Sequence, residues 1–485
     1  MGIILKLGTL VKNAFGYEAD LPDIDVLGVA QDSRLVKKAF VFVARTGIET
    51  DGHLFANTAA AAGAIAIMGE RPGLSHLEGL PYLQVNDAQA ATAQLAAALY
   101  GHPSRSLNIL GVTGTDGKTT TAYLIHHLLS STETVGLIST ALICSRNDAL
   151  KEEGHFTTPE SPEVQRILAK FRDDGCKYAV VESSSHGFAQ KRLSEINFDI
   201  GVWTNLSPEH LDFHGTFSAY REAKLELARK AKLMILNRDD DSYEVFAKNS
   251  KNSQSYGLHP ESNWRIQNVI PKTTGVSFEL AGPSGKGSTH LPILGVHNVA
   301  NAAAAIATAV ETGIPFQVAL QRLETFGGVP GRMQLLQTKP FQVIVDFAHT
   351  PPSVEKLLDT FRPLTKGRLI LVVGAAGQRD PTKRFPLGQV AASKADLVFF
   401  TEEDSRSEAI EVILADLAHG ARSIGAIAGT DFQLEPDRRK AIAAAITEAQ
   451  PGDTVILSGK GHERTLERST ETLDWDEEYE ARQHL

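Results

Sequence analysis

Short runs of apolar residues alternate with stretches whose apolar positions recur at helical spacing, a pattern that predicts strands and helices in turn. Within 39–85 the runs AFVFVA, AIAIMG and YLQV bracket an Ala-rich helical stretch at 57–62. That arrangement predicts a small α/β unit, closing near Gly101-His102-Pro103-Ser104. A second unit opens with a strand over 107–112, a Gly/Thr-rich turn and a helix from about Lys118. Strands at 178–181, 200–204 and 233–236, each followed by a turn or helix, predict a doubly wound, mostly parallel sheet. Over 249–287 the alternation predicts an antiparallel patch at its edge, and 299–312 returns to helix. A third unit starts near Gly331, where FQVIVDF, RLILVVG, LVFFT and DTVILSG are separated by helical patterns such as 354–361 and 438–449.

The length of 485 residues, at roughly 150 per domain, agrees with about three domains, expected at 1–104, 105–330 and 331–485. A hydrophobic fraction of 42 % with 22 % charged residues is ordinary globular usage. The net charge of −10, without a basic stripe, argues against nucleic acid as a partner. Cys144 and Cys176 alone cannot build a disulfide framework, so a reducing cytoplasm is expected. The first residues are too broken for a secretion signal, no apolar run is long enough to span a membrane, and Lys6 spoils a myristoylation signal at Gly2.

Thr113-Gly114-Thr115-Asp116-Gly117-Lys118-Thr119-Thr120, set between a strand and a helix, carries the sharpest chemistry. Glycines let backbone N–H groups curl around a polyphosphate, Lys118 can reach the outer phosphates, and the Thr119 hydroxyl can ligate Mg2+. Val112 stands where the strict phosphate-loop pattern has its first Gly. Glu182, at the end of a strand and before three serines, suits either a metal site or a turn, and the residues alone leave both open. His210 in TNLSPEHLDFHG is a metal-ligand candidate or a hydrogen-bonded loop residue. From spacing alone Lys224 in YREAK reads as a surface lysine on an ion-paired helix.

The segments QDSR, GVTGTDGKTTT, FTTPE, VESSSHGFAQKRL, TNLSPEHLDFHG with YREAK, GVHNVANAAAA, VPGRMQ, VDFAHTP, GAAGQRDPTKR and GKGHE occur in an order that resembles the Mur ligases along nearly the whole chain. The resemblance is strongest to members that add the third amino acid to UDP-MurNAc-L-Ala-D-Glu. It implies a three-domain architecture: a small N-terminal α/β domain for the nucleotide sugar, a central ATPase-like parallel sheet for ATP and Mg2+, and a C-terminal Rossmann-like domain for the amino acid. It also implies ATP-dependent amide formation through an acyl phosphate; a cytoplasmic location and a monomer are the accompanying expectations.

Residue by residue, the resemblance implies that Gly114, Thr115, Asp116, Gly117, Lys118, Thr119 and Thr120 bind the ATP phosphates, with Asn298 and Asp346 at the base or ribose and Arg332 reaching phosphate. Thr119 and Glu182 would hold one Mg2+, and His210 a second together with Lys224. The resemblance reverses the surface reading of Lys224, since the matching lysine is carbamylated by CO2. Bland readings stay beside two of these: Asn298 as a helix cap, Arg332 as a linker charge. Ser33 and the loop Ile48-Glu49-Thr50 would meet the uridine part. Thr157, Thr158, Ser184, Gln190 and Arg192 would meet the muramoyl peptide and diphosphate.

For the amino acid, Glu403-Asp404-Ser405-Arg406 aligns with a D-N-P-R motif that holds the distal carboxylate of meso-diaminopimelate. Arg406 is kept, whereas Asp and Ser replace Asn and Pro, and the lost Pro frees the backbone. With Arg379, Gly459 and Glu463 this favours diaminopimelate, lysine or ornithine being the alternative. Rival readings are a neighbouring Mur ligase, a folylpolyglutamate-type ligase and a nucleotide-dependent switch; the last leaves Glu182, His210, Lys224, Arg379 and Arg406 without a shared purpose.

Overall fold

The structure, a computed structural model, describes residues 4–47, 50–145, 148–150, 157–272 and 274–485. It contains three principal sheets, and the elements follow the expected alternation closely. In the first sheet, Gly28–Ala30, Phe40–Ala44, Ala64–Gly69 and Leu80–Gln84 run parallel in that order, with His76–Leu77 antiparallel at the edge. Its helix Ala88–Leu99 is almost entirely buried, as a run of alanines and two leucines allows.

The central sheet places Val135–Ile138, Tyr178–Glu182, Asn108–Thr113, Ile200–Trp203, Leu233–Asn237 and Ser253–Gly257 side by side, all parallel. Its strands are apolar on both faces because helices cover both, with Phe171, Phe198, Trp203 and Phe246 in one core cluster. The antiparallel patch expected over 249–287 is corrected at its start: Ser253–Gly257 joins Leu233–Asn237 in parallel, and Trp264–Lys272 joins Ser253–Gly257 in parallel. The alternation of SQSYG signals a strand but not its direction, which the preceding helix Tyr243–Asn249 sets by carrying the chain back across the sheet.

The last sheet has the order Gln334–Gln337, Gln342–Asp346, Thr454–Ser458, Leu369–Ala375, Leu397–Glu402, Phe432–Leu434, with only the first strand antiparallel. Two further short strands, Thr465–Glu467 and Thr472–Asp474, pair as a hairpin.

The chain divides into two compact units, Met1–Val269 with Phe278–Thr289 and His297–Glu324, and Ile270–Ser277 with His290–Val296 and Thr325–Leu485. The first sheet and the parallel strands from Asn108–Thr113 to Ser253–Gly257 lie in the first unit. Arg172 donates to the Tyr100 carbonyl at 2.9 Å, and Lys191 pairs with Asp87, tying the first sheet's helix to the central region.

Candidate active site

In the first unit the strand Asn108–Thr113 delivers the chain into the loop, and the helix Lys118–Ser130 leaves it with its N-terminus at the carboxyl edge of the sheet. Two glycines are required there. Gly114 has φ +149° and a Cβ would fall 1.8 Å from Thr204 Oγ1; Gly117 has φ +81° and a Cβ would fall 2.4 Å from Asn301 Oδ1. Lys118 Nζ donates to the Thr115 carbonyl at 2.8 Å, closing the loop on itself. Thr115 Oγ1 lies 3.0 Å from the Tyr220 hydroxyl and accepts from the Ser207 N–H at 2.9 Å. Asp116 N–H donates to Asn205 Oδ1 at 2.9 Å.

Glu182 is buried at the end of its strand, and its carboxylate is held from two sides. Thr119 Oγ1 donates to Oε1 at 3.0 Å, while the Thr140 N–H and hydroxyl donate to Oε2 at 3.0 and 3.1 Å. The turn reading of Glu182 is therefore replaced by a carboxylate joined to the phosphate-type loop. Thr119 and Glu182 supply hard oxygen donors next to the helix N-terminus, the donor chemistry Mg2+ prefers.

Lys224 is 1 % exposed, not a surface lysine. The helix Phe217–Lys230 turns it inward beside Tyr220, one turn earlier on the same face, and Nζ lies 4.7 Å from that ring centre. Its Nζ donates to the Gly114 carbonyl at 2.6 Å. Burial, reinforced by the Lys118 charge, pushes its pKa well below the ordinary lysine value, which favours the neutral amine. That is the state a carbamate requires, and the residue fits the group on this ground. His210, at φ +54°, packs its ring against His186 with centres 4.7 Å apart and stands 6.2 Å from the Tyr220 ring. Tyr220 thus touches the loop, the buried lysine and the imidazole; burial pushes its phenol pKa up, keeping it neutral.

Asn298 is the first residue of its helix, not the cap; His297 precedes it without a side-chain cap. Its Oδ1 accepts from Asn301 Nδ2 at 2.9 Å, and Asn301 Oδ1 accepts from the Thr121 hydroxyl at 3.2 Å, so the asparagine pair reaches the helix that follows the loop.

The nucleotide-sugar candidates line one region of the same unit. A cavity of about 1080 Å3 is bounded by Ser33, Arg34, Arg45, Thr50, Pro159 and Glu160 among others. Ile48 and Glu49 lie outside the described residues. Thr157 Oγ1 accepts from the Thr140 hydroxyl at 3.1 Å, and Thr158 Oγ1 donates to the Glu182 carbonyl at 2.8 Å. Arg192 donates to the Thr158 carbonyl at 2.7 Å and to Gln190 Oε1 at 2.6 Å, and it pairs with Glu160 at 2.5 Å. Ser184 caps the helix Ser185–Ala189 through the Gly187 N–H. The expected residues therefore converge from the cavity to Glu182.

In the second unit, Asp346 ends a strand and its carboxylate accepts from the Met333 and Ala348 N–H groups, both at 2.8 Å. Arg332 is no simple linker charge: its guanidinium lies 4.6 Å from the Phe347 ring centre. At the carboxyl edge, Glu403, Asp404 and Ser405 are buried just past the strand Leu397–Glu402. Glu403 Oε2 has no hydrogen-bond partner among the described residues. Asp404 Oδ1 accepts from the buried Lys460 at 2.8 Å, and Lys460 also pairs with Glu463 at 2.6 Å. Burial raises the Glu463 pKa. Arg406 donates through Nε to Glu467 at 2.8 Å and through a terminal nitrogen to the Gly377 carbonyl at 2.8 Å. Gly459 N–H donates to the Asp346 carbonyl at 3.1 Å, whereas Arg379 is exposed on its loop.

Thr140, Tyr220, Asn301, Lys460 and Glu467 complete these clusters without having been singled out. Tyr220 carried a signal, lying four residues before Lys224 on one helix face; Thr140 and Glu467 carried none in their neighbours.

Residues 25–100 match the family model described as Mur ligase family, catalytic domain; 112–309 match the Mur ligase middle domain; 331–461 match the Mur ligase, glutamate ligase domain. A UDP-N-acetylmuramyl-tripeptide synthetase of Deinococcus radiodurans is 45 % identical, covering 95 % of this chain and 94 % of that protein. A UDP-N-acetylmuramoyl-L-alanyl-D-glutamate--2,6-diaminopimelate ligase of Gloeobacter violaceus is 36 % identical over 96 % of this chain and 95 % of that protein. A solved structure of a ligase with that same name superposes with a TM-score of 0.68 at 29 % identity, covering 99 % of both chains. The fold is also that of a MurF ligase from Thermotoga maritima in complex with ADP, at a TM-score of 0.62, 21 % identity, 89 % of this chain and 93 % of that one.

Proposed function

The chain belongs to the Mur ligase family, an ATP-dependent ligase family of peptidoglycan synthesis, and from that premise we propose that it joins a diamino acid to the D-Glu carboxylate of UDP-MurNAc-L-Ala-D-Glu. The observation that carries this reading is the convergence of a phosphate-type loop, the buried carboxylate Glu182 and the buried Lys224 around Tyr220 and Thr140. A carboxylate is a poor acylating agent, so ATP first phosphorylates it; the amine then attacks the acyl phosphate and inorganic phosphate leaves. The reaction needs positioning and charge neutralisation more than covalent chemistry by the protein.

Lys118 and the loop N–H groups meet the ATP phosphates, while Thr119 and Glu182 are the residues that would hold Mg2+. The bound ion would neutralise phosphate charge during transfer. Lys224 would carry a carbamate, its neutral amine forming an N–C bond to CO2 with loss of a proton, and His210 would stand as its partner toward a second ion. The cavity beside Ser33 and Thr50 would take the nucleotide sugar, with Thr157, Thr158 and Arg192 leading from it to Glu182. Domains at 1–104, 105–330 and 331–485 fit these duties in order. Diaminopimelate is the incoming amino acid that the retained Arg406 and the names of several relatives support.

A coupled assay of ADP release tests the reaction. Turnover is expected only when both UDP-MurNAc-L-Ala-D-Glu and a diamino acid are present; ATP hydrolysis indifferent to both would overturn the ligase reading.

A further inference from the structure

The residues matching the family's last domain end at 461, yet the chain continues through a hairpin, Thr465–Glu467 paired with Thr472–Asp474. Glu467, at the end of the first strand, touches the 404–406 turn three times. Its N–H donates to Asp404 Oδ1 at 2.9 Å, its carbonyl accepts from the Arg406 N–H at 3.0 Å, and its carboxylate accepts from Arg406 Nε at 2.8 Å. The next residue, Arg468, donates to Glu402 at 2.5 Å, so the hairpin braces 402–406 along its length.

The turn needs such a brace. Arg406 has φ +50°, a region that costs a non-glycine residue free energy, and Ser405 lacks the ring that would pin φ in the motif it resembles. An arginine side chain also carries considerable rotamer entropy, which a fixed partner on Nε reduces before any ligand arrives. With Nε on Glu467 and one terminal nitrogen on the Gly377 carbonyl, the fork has a single orientation; its other terminal nitrogen lies 3.7 Å from Asp404.

We propose that Glu467 is a positioning residue for the amino-acid subsite, holding Arg406 and Asp404 in the arrangement that meets the far end of the incoming diamino acid. This rests on the assignment of Arg406 to amino-acid binding in the ligase reading above. Glu467 acts through Arg406 and takes no part in phosphoryl transfer.

The test is steady-state kinetics of the full chain with whichever of meso-diaminopimelate, L-lysine and L-ornithine the wild type turns over. Glu467→Ala is expected to raise the KM for that amino acid about tenfold or more, with kcat and the ATP KM within about twofold of wild type. Glu467→Gln, which keeps an acceptor for Arg406 Nε, is expected to raise it only about threefold. In an Arg406→Ala background, Glu467→Ala should add less than about a twofold change, because the two act as one unit. An amino-acid KM unchanged in Glu467→Gln and Glu467→Ala, an equal rise in the ATP KM, or full additivity with Arg406→Ala would overturn the proposal. If Glu467→Ala fails to fold, the Gln variant alone decides by the same amino-acid KM. Failure of the wild type to turn over any of the three amino acids is a different result, and counts against the ligase reading itself.

Discussion

Lys224 shows how one side chain changes meaning with its surroundings. Its helix carries Arg221, Glu222, Glu226 and Arg229 as solvated neighbours, and Arg229 pairs with both glutamates, yet Lys224 faces the other way into the loop. Two consequences follow from that burial. Lys224→Ala should abolish ligation, with no rescue by excess bicarbonate; wild-type activity in an ADP-release assay would refute the carbamate role. Titration has a definite sign as well. The folded pKa lies well below the ordinary value of 10.5, so between the two the unfolded chain binds the extra proton and stability rises with pH. In CO2-free buffer, denaturant unfolding at pH 7 and 9 should show the wild type gaining up to about 1.4 kcal/mol per pH unit more than Lys224→Met. Equal slopes would mean the amine titrates normally.

At the level of elements, the loop between Asn108–Thr113 and Lys118–Ser130 depends on backbone space. Gly117 adopts a left-handed conformation where the helix begins, with the Asn301 side chain packed against the position a Cβ would fill. Gly117→Ala should therefore cost about 1–2 kcal/mol from the backbone alone and push Asn301 away from Thr121. The expected outcome is a lowered melting temperature and an ATP Kd raised by about tenfold, measured by calorimetry; unchanged nucleotide affinity would show that the loop tolerates a side chain there.

At the scale of the molecule, the second unit holds a buried charge network that bears on its stability. Arg438 and Glu477 are both fully buried and paired at 2.5 Å, and Arg438 also donates to the Ser458 and Glu402 carbonyls, joining the ends of the two strands that flank Leu369–Ala375. Arg438→Leu leaves the Glu477 carboxylate without its counter-charge, and should cost about 3–5 kcal/mol of unfolding free energy in urea. A loss below about 1 kcal/mol would mean the network is dispensable.

Apolar periodicity was sufficient to place most strands and helices, because the central parallel strands of the sheets are buried and helices such as Ser161–Asp173 and Pro351–Phe361 bury one apolar face. The loop glycines stood out from their place between a strand and a helix, whereas Glu182 and His210 stayed open and Lys224 read as a surface residue until the order of the family's segments singled them out. Strand direction at Ser253–Gly257 and the burial of Lys224 were decided only by tertiary packing. So were the clasp of Glu467 on Arg406 and the seat of Thr140 on Glu182. The physical reason is common to all of these. Periodicity and motifs report what a residue's near neighbours impose, whereas a hydrogen bond between residues 61 apart in the chain, as from Arg406 to Glu467, exists only once the sheet has brought its ends together.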